Sequence, residues 1–411
     1  MKKTRSRPLL LLATGIVAAL LAGCASGPTT PGHSSSASSG DGAVACIPPV
    51  PSALPKDPDG VLKSIKGAGL TALGGYPGSV YASPWADFTP ASKAPWTIGY
   101  SGNSANPTNV LLLAGIQQVV DAHPNLFKSQ VISVTANPAN DAASQIQGMR
   151  TLLRQGVDII LSPLSSPEAL NGVIDDAAAQ GVPVISLVGQ STSKNAVNLE
   201  PNPGLVGYYG AAGVIQNMGP KGSVVMVRGL TGLSIDVNIY NAAKAVFDAC
   251  PGIKIAGELT GFFDPAIAKT EMLKYFTTHP GAVNGAFTTS NMAFGVISAF
   301  TETGRPVPPV SDVGPNGAAL AYWRDHPDYP GTAVGRPAQA TGRYAMAIAT
   351  AMLQGRGLKV NEVPFAPIVV TSANLKDWVL PSYNATSNIY ADGPADAIPA
   401  DSLVDSYFSR R

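Results

Sequence analysis

Between residues 95 and 370, short apolar runs of strand length alternate with longer stretches of helical spacing. Residues 96–101 predict a strand, and residues 110–122 a helix with apolar positions three and four apart. Strands at 131–134, 157–161 and 182–188 follow, separated by helices at 141–155 and 167–180. This alternation means parallel βαβ units. It then restarts, with strands at 197–199, 223–227, 254–259, 283–287, 310–313, 332–334 and 366–370. The helices between them fall at 204–218, 235–250, 265–277, 292–303, 318–324 and 338–354. The expected fold is therefore α/β, with two doubly wound, Rossmann-like parallel sheets. A chain of 411 residues is long enough for two such lobes. Open parallel sheets place ligands beyond the carboxyl ends of their strands, so two facing lobes predict a site in the cleft between them.

The amino terminus is of another kind. Lys2, Lys3, Arg5 and Arg7 precede an apolar stretch at 9–20, which is short of the ~20 apolar residues that span a bilayer. Residues 1–23 read as an export signal. Leu21-Ala22-Gly23-Cys24 looks like a bacterial lipobox, in which Cys24 is acylated and begins the mature chain. An ordinary secretory signal that happens to contain a cysteine is the alternative. Removing four basic residues changes the formal charge from +1 to −3, because 23 basic residues then face 26 acidic ones. Neither value suggests a polyanion-binding surface, so nucleic acid is not an expected partner. Residues 24–45 are rich in Ser, Gly, Thr and Pro and read as a flexible tether with a reach of about 25 Å. Residues 46–94 read as an irregular extension packed on the main body. Cys46 and Cys250 remain, and an exported protein permits a disulfide between them. Two free thiols are the other reading.

Catalytic chemistry is not visible. His33 lies in the tether, whereas His123, His279 and His326 each precede a proline at a predicted helix end, where a cation suits the helix dipole. No Cys, His and carboxylate spacing resembles a metal site, and neither a nucleophile elbow nor a phosphate loop occurs. Gly67-Ala68-Gly69 loosely fits a dinucleotide fingerprint, but no buried strand precedes it. No cofactor, no metal and no enzymatic activity are expected.

Residues 141–163, continuing through Ser166-Pro167-Glu168-Ala169-Leu170 and Ala179-Gln180-Gly181-Val182-Pro183-Val184-Ile185, carry an Asp, Gln, Leu, Gly-Val-Asp pattern before a strand. Lys221-Gly222-Ser223-Val224-Val225, Cys250-Pro251-Gly252-Ile253-Lys254-Ile255 and Met292-Ala293-Phe294-Gly295 add motifs in matching order. With these the chain resembles the periplasmic sugar-binding family of ABC importers, the type I periplasmic binding proteins, over residues 95–370. The resemblance implies two lobes that exchange segments at three crossovers and close on a ligand. Lobe 1 is expected at 95–190 plus 337–356, and lobe 2 at 191–336 plus 357–411, the last including a carboxyl-terminal tail.

The family's ligand positions carry over unevenly. Its Asp-Arg pair after the fourth strand is Val188-Gly189 here, and its Asn-Asp before the Met-Ala motif is Thr289-Ser290-Asn291. A common helix arginine matches Asn238, an aspartate matches Asn316, and the usual crossover glutamine is Arg336. The helix with Asp236, Asn238 and Tyr240 is similar to that of the branch binding autoinducer- and rhamnose-like ligands. Candidate ligand contacts at strand ends are Ser101, Asn103, Asn106, Asp141, Ser165, Gln190, Arg228, Asp236, Asn238, Phe263, Ser290, Asn291, Asn316 and Arg336. For Asp141 and Asp264, helix capping is the competing role. Arg228 and Arg336 stand out because a guanidinium offers paired donors to a carboxylate or to vicinal hydroxyls. They point to a ligand with an anionic or strongly accepting group.

The expected function is that of a substrate-binding lipoprotein of an ABC importer, lipid-anchored on the outer face of the cell membrane. Its expected partners are an ABC permease and a sugar, sugar acid or polyol. A ligand-sensing receptor coupled to a signalling partner is the alternative.

Overall fold

A computed structural model of the chain describes residues 44–104, 106–135 and 142–409. The signal peptide, nearly all of the tether, Cys24, His33 and Asp141 lie outside the described residues. Helix α1 (Gly67–Ala72) belongs to the extension. There follow β1 (Ile98–Gly102), α2 (Pro107–Ala122), β2 (Ile132–Thr135), α3 (Ala142–Arg154), β3 (Ile159–Pro163), α4 (Pro167–Ala179), β4 (Val184–Val188) and β5 (Ala196–Asn198). The second series is α5 (Pro203–Met218), β6 (Gly222–Arg228), α6 (Ser234–Asp248), β7 (Ile253–Thr260), α7 (Pro265–Thr278), β8 (Gly285–Thr288) and α8 (Ala293–Glu302). It ends with β9 (Val310–Val313), α9 (Gly317–Asp325), β10 (Thr332–Gly335), α10 (Ala338–Leu353), β11 (Ile368–Val370) and α11 (Ala400–Tyr407).

Two sheets organise these elements. The first has the order β2-β1-β3-β4-β5 and is parallel throughout. The second has the order β11-β10-β9-β8-β6-β7 and is parallel except for its β10–β11 edge pair. Strands covered by helices on both faces must be apolar on both faces, which is why Ile159–Pro163 and Gly285–Thr288 are buried at every position.

The lobe boundaries differ from the sequence expectation in three places. Strand β5 was expected in lobe 2, but it pairs with β4 and belongs to the first sheet. Residues 189–195 join these parallel strands without a helix, so the alternation in the sequence restarts one strand early. Residues 357–365 also return to lobe 1, where Leu358, Val360, Val363 and Phe365 join its core. After β11, Trp378 and Tyr383 pack on lobe 2, and α11 then crosses back to bury Leu403, Val404 and Tyr407 in lobe 1. From α1 onward, the described chain therefore passes between the lobes four times, near 200, 336, 366 and 395.

The extension is irregular apart from a 3-10 turn at Leu62–Ser64 and α1. It is nonetheless a structural part of lobe 1, since Leu62, Ile65, Leu73, Tyr76, Val80 and Trp85 lie in its core. Its first residues sit elsewhere: Val44, Cys46 and Ile47 pack on the α5–α6 core of lobe 2. A disulfide joins Cys46 to Cys250 there.

Helices α2 and α10 touch backbone to backbone. A Cβ on Gly115 would lie 2.1 Å from the Gln339 carbonyl oxygen, and one on Gly342 would lie 2.3 Å from the Leu112 carbonyl oxygen. The close approach joins residues 112–115 of α2 to residues 339–342 of α10.

Candidate functional site

Several helix starts converge where the lobes face each other. Asn106 caps α2 by accepting from the backbone amides of Thr108 (2.9 Å) and Asn109 (3.2 Å). The amino ends of α6, α7, α8 and α10 follow β6, β7, β8 and β10 in the same way. Partial positive charge at these ends favours acceptor groups nearby. The cavity between the lobes has a volume of about 350 Å³. Lobe 1 supplies Asn106 to Asn109, Pro163 to Ser165 and Val188. Lobe 2 supplies Leu233, Ile235, Asp236, Phe263 and Thr289 to Asn291, and Arg336 stands at the second crossover.

Of the candidates from sequence, Asn106, Ser165, Asp236, Phe263, Ser290, Asn291 and Arg336 line this cavity. Ser101 does not. It is fully buried in β1, where its hydroxyl has no partner and a Cβ on Gly148 would lie 3.3 Å away, so it faces α3. Asn103 is buried beyond β1 and is not part of the wall. Asn316 is a helix cap: its Oδ1 accepts from the amides of Ala318 and Ala319. Its Nδ2 donates to Oδ1 of Asn291 (3.1 Å) and of Asn388 (2.8 Å). Asp264 also caps, accepting from Ala266 and Ile267.

Arg228 and Asp236 satisfy each other. Asp236 is wholly buried, and its Oδ2 accepts from Nε (3.0 Å) and Nη2 (2.6 Å) of Arg228. Its Oδ1 accepts from the Gly229 amide (2.7 Å) and the Thr289 hydroxyl (2.7 Å). The Arg228 guanidinium also lies 4.1 Å from the centre of the Tyr240 ring. The expectation that Arg228 grips an anionic ligand is corrected by this pairing. Arg336 is different. Its Nε is buried without a hydrogen-bond partner, and it makes no ion pair among the described residues.

Gln190 and Asn238 meet outside the cavity wall, where Asn238 Nδ2 donates to Gln190 Oε1 at 3.5 Å. Gln190 Nε2 in turn donates to the Tyr76 hydroxyl. One residue from each lobe is thus joined to the extension.

Sequence reasoning missed the organiser of the lobe 1 wall. Gln145 on α3 donates to the carbonyls of Ser101 and Pro163 and to the Ser162 hydroxyl. Its Oε1 accepts from the amide and hydroxyl of Ser165. A polar residue on the otherwise apolar inner face of the helix was the available signal. Asn388 and Tyr390 also line the cavity from the carboxyl-terminal segment, and the Tyr390 hydroxyl donates to the Arg336 carbonyl (2.7 Å). No strand-end rule points to a segment beyond the last strand.

The backbone is unusual at the same place. Among the described residues, Phe262, Phe263 and Asn291 are the non-glycine residues with φ above zero, at 54°, 59° and 44°. Such conformations persist only where the surroundings enforce them. Phe263 is seated against Gly229, where a Cβ would lie 1.8 Å from the ring.

Three buried carboxyl groups flank the crossovers. Burial pushes Glu200 up to about 7 from 4.5, with the nearby Arg336 charge opposing the shift. Burial pushes Glu362 up to about 8 from 4.5, against hydrogen bonds from Tyr76 and Asn198. Asp312, beneath Asn316, is likewise pushed up to about 8 from 3.8 by burial, although the Asn316 amide opposes it. The folded chain therefore retains protons that the unfolded chain loses near pH 4, and stability falls as the pH rises from about 5 to 8. Melting temperatures across this window are expected to decline. In Asp312→Asn the decline is expected to be shallower, with a higher melting temperature than the wild type at pH 8.

The molecule's comparisons with known proteins agree with this geometry. Residues 103–357 match the family described as periplasmic binding protein domain. The xylitol-binding protein of Mycolicibacterium smegmatis is 24% identical over 247 residues, covering 59% of this chain and 70% of that protein. The ribose import binding protein of Bacillus subtilis is 25% identical over 279 residues, covering 67% of this chain and 87% of that one. An ABC transporter solute-binding protein from Thermobispora bispora superposes with a TM-score of 0.63 at 26% identity, covering 73% and 91% of the two chains.

Proposed function

Because the chain belongs to the periplasmic binding protein domain family, we propose that it is the solute-binding component of an ABC importer for a sugar, sugar acid or polyol. The family and the structural neighbours are substrate-binding transport proteins rather than enzymes. The observation that carries the reading is the cavity of about 350 Å³, walled by both lobes with short polar side chains and with Arg336, whose buried Nε has no hydrogen-bond partner. A ligand that touches both walls stabilises the arrangement in which they lie close, and this closed form is what a permease receives. The relatives that bind xylitol and ribose support a polyhydroxylated ligand. Asn106, Ser165, Ser290 and Asn291 are its hydroxyl partners in this reading, and Arg336 takes its most accepting end. The lipobox-like Leu21-Ala22-Gly23-Cys24 supports a lipid anchor at Cys24 on the outer face of the membrane.

A thermal-shift series tests the reading with xylitol, ribose and matched sugar acids. Ligand at a hundred times its Kd adds about 2.7 kcal/mol to the folded state, which raises the melting temperature by a few degrees. A flat response across polyols, sugars and sugar acids, with a shift from an unrelated class, would overturn the substrate class. For a ligand that responds, Arg336→Ala is expected to weaken binding by about tenfold to a hundredfold, from loss of a charge-assisted hydrogen bond. Titration calorimetry reads that change, and an unchanged Kd would remove Arg336 from the site.

A further inference from the structure

We infer that the amino-terminal extension is a strut that limits how far the two lobes swing apart, which makes it part of the closing machinery. The inference rests on the reading of the cleft as a closing site. Its basis is where the extension is attached. At one end it is covalently fixed to lobe 2 by the Cys46–Cys250 disulfide, just past the end of α6. The Tyr208 hydroxyl on α5 holds the next turn of chain by donating to the Pro48 carbonyl (2.7 Å). At the other end, the extension is built into the lobe 1 core through Leu62, Leu73 and Trp85.

Between the two anchors the chain is rich in proline. Residues 47–55 read Ile-Pro-Pro-Val-Pro-Ser-Ala-Leu-Pro. Each proline fixes its own φ, and each residue before a proline is pushed to extended conformations. Such a segment behaves as a semi-rigid spacer of about 3.1 Å per residue. It resists lengthening in a way that a Gly/Ser linker of the same size does not. The rod ends at the Gly74–Gly75 turn, where the Gly75 amide donates to the Ala53 carbonyl (2.8 Å).

That turn is clamped to the first crossover. Asn202 Nδ2 donates to the carbonyls of Ala72 and Gly74, each at 2.8 Å. Beyond it, Tyr76 donates to Glu362 at the third crossover (2.5 Å) and receives Gln190, whose Oε1 faces Asn238 of lobe 2. The extension thus contacts the hinge segments and one contact that bridges the lobes. A rotation that opens the cleft must stretch the rod, break its anchors or leave the lobes where they are.

Small-angle scattering of the unliganded protein tests this without a ligand. In the Cys46→Ser/Cys250→Ser variant the radius of gyration is expected to rise by about 1 Å above the ~21 Å typical of a compact body of this size. In Pro48→Gly/Pro49→Gly/Pro51→Gly, with the disulfide intact, the same rise is expected. That second variant decides the matter where the first one aggregates or melts near room temperature. Scattering curves that superpose on the wild type, from a variant that still melts cooperatively, would overturn the strut. Thermal shifts with polyols report separately on the cleft, so a failed strut and a failed binding role are told apart.

Discussion

Asp236→Ala is expected to destabilise the protein by about 3–5 kcal/mol, the usual result of removing one partner from a buried ion pair. The carboxylate is wholly buried and takes four hydrogen bonds, two from Arg228 and one each from the Gly229 amide and the Thr289 hydroxyl. Its removal leaves a guanidinium with a side chain only 15% exposed and the Thr289 hydroxyl without its acceptor, while the Gly229 amide keeps only the Thr289 oxygen (2.8 Å). The Tyr240 ring beneath Arg228 offsets part of the lost charge, since cation–π contacts contribute about 0.5–2 kcal/mol. Thr289 and Asp236 both line the cavity, so the ligand response is expected to fall together with stability. Denaturant midpoints measure the first effect. A loss below about 0.5 kcal/mol, as for an ordinary surface substitution, would contradict the assignment of the pair as the brace of the lobe 2 wall. Because the two residues share one interaction, Arg228→Met combined with Asp236→Leu is expected to cost less than the sum of the two single changes.

The second large effect lies in lobe 1. Gly342→Val places side-chain atoms where the Leu112 carbonyl already stands 2.3 Å from an ideal Cβ. Backbone cannot step aside as a flexible side chain can, so α2 and α10 must separate. A loss of about 3 kcal/mol is expected, the upper end of ordinary overpacking. The cleft is expected to suffer as well, because Asn106 stands at the start of α2 and Arg336 just before α10. Gly172→Ala is the control. It lies within α4 with nothing within 4 Å of its Cβ position, and there alanine is expected to stabilise by about 0.5–1 kcal/mol. Equal melting temperatures for Gly342→Val and Gly172→Ala would show that the helices are not in backbone contact.

The two sheets were legible because buried parallel strands leave an apolar signature that survives without tertiary information. Residues 157–161 and 182–188 show it, and β3 and β4 lie there. Helix starts were legible for a related reason, since Asp264 caps through its own side chain and the next two amides. The polar candidates fared less evenly. Asn316 and Ser165 both lie in loops between a strand and the next helix, yet one is consumed by capping and the other faces the cavity. Spacing records that a residue is near a strand end, not which groups already occupy its lone pairs. Arg228 and Arg336 make the same point: both follow apolar strands, and only the position of Asp236 in space separates the brace from the free donor.

The wall of the cavity runs in chain order from Asn106 to Tyr390, most of the folded length of the protein. The last wall residues, Asn388 and Tyr390, are held by Asn316 and by the Arg336 carbonyl, so they join a frame already built. Contacts this distant in sequence form late in folding. A chain emerging amino end first therefore has no finished site until its final segment has appeared.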